Sequence, residues 1–166
     1  MIPLRTWMMY TMCAAILIIS KEVLAFLPNV ELVSFLLIVY ALNFRLQGVI
    51  SIAVLFSIVQ TLLYGLGMWT PMYFIVWSLL GIVAYLLRNF LTNENRCSLF
   101  SGGFGFIFGF LFSIPYFIVS LRMGWIYFLK GLPFDFVHGI ANYIIMLVLY
   151  NKVNQVLNNL SSKYNL

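Results

Sequence analysis

Charge is what this sequence has least of. Of its 166 residues, nine are Lys or Arg and four are Asp or Glu, so charged types make up 8% of the chain. A soluble domain carries about a quarter. So little charge cannot cover a water-facing surface, which excludes an ordinary soluble domain. The chain has a single aspartate, Asp135, and a single histidine, His138. One Asp–His pair cannot supply the ligand set of a zinc site, and no metal or cofactor is expected. Cysteine is scarce too. Cys13 falls in a predicted span and Cys97 in a predicted loop, so neither a disulfide nor a metal framework is expected. H-E-x-x-H, G-x-S-x-G and C-x-x-C are missing, which leaves catalysis little support. No phosphate-binding G-x-x-x-x-G-K-[ST] occurs, and no basic run suggests nucleic acid.

What fills the chain instead is apolar: 64% of residues, with a mean hydropathy of +1.05. That places it in a bilayer. Its length suits about six spans of ~20 residues with short loops and no second domain. The expected fold is all-α: a polytopic membrane protein, one six-helix bundle over 1–166. The apolar segments are read at 4–25, 31–45, 48–67, 71–90, 99–121 and 134–157. The first is read as a retained helix, because Arg5 is a weak positive start and no A-x-A-like cleavage site follows.

The breaks carry turn chemistry. Pro28 and Asn29 in "FLPNVE" disfavour continuous helix. "RNFLTNENRCS" is the most polar stretch and is read as an aqueous loop, and "RMGWIYFLKGLP" as the loop before the last helix. The second segment is short, so "LPNVE" is expected to fold onto protein, since irregular backbone at membrane depth must be buried or line a cavity. With both termini cytoplasmic, Arg5, Arg45, Arg88, Arg96, Lys152 and Lys163 lie inside, and Lys21, Arg122 and Lys130 outside. The positive-inside rule favours that orientation. On the same topology the sequon Asn159-Leu-Ser161 lies inside and is read as chance.

The outer face then collects the polar groups. In "KGLPFDFVHGIAN", Asp135, His138 and Asn142 are spaced i, i+3, i+7 and share one helix face, below Lys130. Two readings fit. Asp135 in the first turn favours the helix dipole, with His138 paired to it and Asn142 linking helices. Alternatively the stripe walls a ligand site. "YGLGMWTPMYFIVW" gathers Tyr64, Trp69, Tyr73 and Trp77, with Trp125 at the same level; these suit an interfacial aromatic belt or a pocket. Asn29 and Glu31 join them from the first loop. Ser101, Gly105, Gly109 and Ser113 recur every four residues and are read as a packing stripe, with Pro115 expected to kink that helix.

"LPNVELVSFLLIVYALNFR", "YGLGMWTPMYFIVW" and "GLPFDFVHGIANYIIMLVLY", spread over a chain with six apolar segments, resemble the substrate-binding S component of an energy-coupling factor (ECF) vitamin transporter. The resemblance implies a non-enzymatic, multi-pass protein of the bacterial plasma membrane that binds a vitamin or related micronutrient from outside. The first loop would close over the ligand. It also implies partners: a transmembrane coupling subunit and two cytoplasmic ATPases. In that family the first helix docks through a small-residue surface, usually Ala-x-x-x-Ala. The nearest match here is Thr11-x-x-x-Ala15. Cobalamin, pantothenate, a pyridoxine-like compound and a pterin all stay open as ligands. Two other classes compete: an intramembrane enzyme using Asp135 and His138, and an assembly subunit without ligand, in which changes at Trp69 or Asn142 alter stability alone.

Overall fold

Helix ends are set by a few polar residues. Asn93 accepts a hydrogen bond from the Arg96 backbone N–H at 3.0 Å, and Glu94 follows in the first turn, where a carboxylate suits the helix dipole. That cap starts a helix five residues before the apolar run at 99. Gly65, at φ +79°, ends another where an L-residue with a side chain would be strained. The computed structural model describes residues 3–164 and 166. Among these residues there are six helices and no strand: α1 Leu4–Val23, α2 Val33–Asn43, α3 Leu46–Tyr64, α4 Trp69–Leu86, α5 Glu94–Val119 and α6 Leu121–Tyr164. Helices α3, α4, α5 and α6 are long and apolar enough to cross a membrane.

The helices run alternately up and down. At one end Thr6 donates to the Tyr164 carbonyl at 3.1 Å, Asn43 to Asn154 at 2.7 Å and Asn151 to Glu94 at 2.6 Å, so the two described termini meet there. At the opposite end Gln60 and Tyr64 of α3 donate to the Glu22 carboxylate at the end of α1, at 2.9 and 2.6 Å. The two groups of basic residues separated in the sequence reading fall at these two ends.

Helix α2 is the centre. Its eleven residues include nine that are buried, Val33 through Ala41. A helix apolar all round has to be enclosed by others, and α2 packs against α1, α3, α4, α5 and α6. Enclosure is why it can be so short: it need not match the bilayer, because protein surrounds both its ends. The molecule's outside is apolar in turn, with Leu62, Ile118 and Leu121 all standing exposed.

Helices α5 and α6 form the most extensive interface, and glycine makes it possible. A Cβ on Gly105 would stand 2.7 Å from the Gly139 Cα, and one on Gly102 would stand 3.1 Å from the Tyr143 Cβ. Lipid tails are as apolar as leucine, so in a membrane close van der Waals approach holds helices together. The close-contact row is Gly102, Gly105 and Gly109, while Ser101 and Ser113 are buried beside it.

Two expectations need correction. Cys97 is not in a loop; it lies in the first turns of α5, fully buried, with its Sγ 3.6 Å from the Leu91 carbonyl. And "RMGWIYFLKGLP" is not a loop. Ser120 alone, in extended backbone at φ −164°, reverses the chain, and α6 runs from Leu121 through Pro133 to Tyr164. Packing explains it. Tyr127 stacks on Tyr116 with ring centroids 4.2 Å apart, Trp125 meets Phe117 edge-on at 5.5 Å, and Gly124 admits the Phe117 ring. Pro133 removes one backbone donor, which apolar helices tolerate when neighbours re-satisfy the backbone.

Candidate binding site

Between the α1–α2 loop, the end of α3, the start of α4 and the α5–α6 hairpin lies a cavity of about 880 Å³. Ligand sites usually span roughly 300–1,000 Å³. It opens at the end of the bundle away from the termini. Six of the residues proposed from sequence for ligand binding line it: Asn29, Tyr64, Trp69, Tyr73, Lys130 and Asp135.

Aromatic rings make most of the wall. Trp69 and Tyr73, one turn apart on α4, meet edge-on at 4.8 Å, and Tyr73 meets Phe112 of α5 edge-on at 5.7 Å. Phe112 stacks on Phe108 at 4.5 Å. These residues face inward because i, i+4 spacing puts them on one side of each helix. Across from them stands the stacked Tyr116–Tyr127 pair. Asn29 enters from the loop with φ +58°, a left-handed backbone that asparagine tolerates better than most residues.

Asp135 is the acidic group of the wall. It lies about 21 Å along α6 from Leu121, far from the first turn in which the sequence reading placed it, so the helix dipole is not its partner. The Gly109 N–H donates to its Oδ1 at 2.8 Å, while Oδ2 is buried without a hydrogen-bond partner. A Cβ at Gly109 would collide with this carboxylate, so only glycine lets α5 come that close.

His138 does not pair with Asp135. Its Nε2 lies 3.1 Å from Oε1 of Glu31, in the α1–α2 loop. Glu31 also accepts from the Ser34 backbone N–H at 2.9 Å and from the Ser34 hydroxyl, capping the start of α2. The pair ties the loop to α6 beneath the cavity, where Phe108 meets the His138 ring edge-on at 4.8 Å. Of "LPNVE", then, Glu31 folds in as expected, while Leu27 and Pro28 stay exposed.

The other candidates fall elsewhere. Trp77 is buried under the cavity among Phe56, Tyr73, Phe104 and Phe108. Asn142 is fully buried, with neither amide atom partnered among the described residues. Asp135, His138 and Asn142 thus all point inward, but Asp135 alone reaches the cavity. Trp125 lies outside it, half-exposed against Phe117 and Phe128. Thr11 and Ala15 are exposed on the outer side of α1.

Sequence reasoning put Lys21 on the outer face but not in the site, and missed Gln60. Both line the cavity, Lys21 from the last turn of α1 and Gln60 from α3. Gln60 was findable: a polar side chain within an apolar helix marks a functional position by default. Among the described residues no group of three His, Cys, Asp or Glu is placed to hold a metal. Chemically, the site can enclose a flat molecule, accept a hydrogen bond through Asp135 and meet an anion through two lysines. Compared with known proteins, the chain matches no family model, no curated protein and no solved structure.

Proposed function

We propose that this chain is the substrate-capture subunit of an ECF-type importer. It binds a vitamin or related micronutrient at the outer face of a bacterial plasma membrane. All six helices then sit in the bilayer, with both termini cytoplasmic. The ligand passes inward when a transmembrane coupling subunit and two ATPases act on the loaded protein. The observation that carries this reading is the aromatic cavity of about 880 Å³ with Asp135 in its wall, at the end of the bundle remote from the termini. The position of the α1–α2 loop supports it: Asn29 lines the cavity and Glu31 anchors the loop to His138 just below. The exposed Thr11 and Ala15 leave a small-residue face on α1 free for a coupling subunit.

The test is binding by the isolated protein in detergent, without ATP. Trp69 lies in the cavity wall, so its fluorescence reports occupancy. Titration with cobalamin, pantothenate, pyridoxine and a pterin, then with a wider vitamin set, is expected to give one saturable one-to-one complex at nanomolar to micromolar concentration. Failure of every vitamin in that range contradicts the proposal.

A further inference from the structure

The cavity is polar in two separate places. At one, Asp135 lines the wall, with Oδ1 accepting from the Gly109 N–H and Oδ2 buried without a donor. At the other, Lys21 and Lys130 join the lining. Neither lysine is paired with Asp135 among the described residues. Glu22, beside Lys21, has its two oxygens taken by Gln60 and Tyr64. The remaining wall is largely aromatic, with Tyr73, Phe112, Tyr116 and Tyr127 among its residues.

Each feature asks something of a ligand. A buried acceptor without a donor is unfavourable, and an N–H from the ligand relieves it. Two cations in the lining of one cavity attract an anion. Ring faces favour a planar body. We infer, resting on the capture role proposed above, that the ligand is a flat ring compound with two unlike polar ends. One end is an N–H or ammonium donor to Asp135 Oδ2; the other is a carboxylate or phosphate held by Lys21 and Lys130. A cation without an acidic group leaves both lysines unanswered. A phospholipid offers the anion but no planar body.

The test is the identity of what the protein carries. Protein purified in mild detergent from cells grown on yeast extract is examined by native mass spectrometry, and the bound molecule is extracted and identified. One molecule per chain, with ring, donor and acid together, is expected. The protein is then stripped and re-exposed to the same yeast extract as wild type, Asp135→Asn and Lys130→Met. Asp135→Asn keeps an oxygen for Gly109 but turns a donor toward the ligand's donor. Lys130 is exposed, so its replacement should leave folding intact. Each variant is expected to retain at least 10-fold less ligand, with thermal unfolding confirming a folded protein. Wild-type occupancy in Lys130→Met, or a bound molecule lacking the acid or the donor, overturns the inference and leaves the capture role standing. A phospholipid in the cavity, or no bound molecule at all, overturns both.

Discussion

The Asp135 carboxylate stays in place because residue 109 has no side chain. Gly109→Ala would put a methyl group where the carboxylate lies and remove or bend the 2.8 Å bond to its N–H. Loss of a hydrogen bond to a charged group costs about 1.5–3 kcal/mol. The variant should therefore bind ligand at least ~10-fold more weakly and melt at lower temperature. Gly103→Ala, where an added Cβ meets nothing within 4 Å, should change neither. Equal behaviour of the two variants in paired titrations and melts would show that the close approach at Gly109 is not what matters.

A second residue-scale prediction concerns Glu31 and His138. Removing one member of a buried pair leaves the other polar group stranded, at about 3–5 kcal/mol for a fully buried pair. His138→Ala and Glu31→Gln should each destabilise the fold strongly, and the double variant by much less than the sum. Simple additivity in chemical unfolding would mean the two groups do not interact. The same His138→Ala protein also separates binding from catalysis. A binding protein keeps a measurable, weakened affinity, whereas an enzyme using this group loses turnover by orders of magnitude.

At the scale of elements, number and order of helices were legible because long apolar runs broken by Pro, Gly and Asn leave few alternatives. The inward stripe of Asp135, His138 and Asn142 was legible from helical spacing alone. Boundaries were less so. Polarity hid the start of α5, because Asn93, Glu94 and Arg96 read as loop when hydropathy is weighed without the cap. Arg122, Lys130 and Pro133 hid the first thirteen residues of α6 in the same way. Contacts with α5, invisible along the sequence, keep that stretch helical. Partners far apart in the chain, such as Glu31 with His138 and Glu22 with Gln60, could not be read from spacing at all.

Two measurements address these elements. Amide hydrogen exchange in detergent should find residues 125–132 protected like the rest of α6, and residues 24–30 exchanging fast. Fast exchange over 125–132 would restore the loop. At the α5–α6 interface, Gly105→Val should force the backbones apart. Overpacking of this kind costs typically about 1–3 kcal/mol, seen as a lower melting temperature. An unchanged melting point would mean that the helices do not meet at Gly105 and Gly139.

For the whole molecule, the arrangement separates tasks by end. The end holding both described termini is tied by asparagine, serine and threonine hydrogen bonds among α1, α2, α5 and α6. The opposite end surrounds a cavity, with Glu22 tied to α3, Glu31 to α6 and Asp135 to α5. Its loop is fixed at Glu31, while Phe26 and Leu27 stay free of the core. A closed base and a cavity at the other end suit binding of a small molecule from one side only.

The most direct measurement of the central claim is an experimental map of the protein carrying its co-purified molecule. The account predicts density for one small molecule in the cavity between Tyr73, Phe112 and Tyr127, within hydrogen-bond distance of Asp135 Oδ2. Density for a ligand anywhere else on the chain, or a cavity filled by the packed side chains of its own wall, would contradict it.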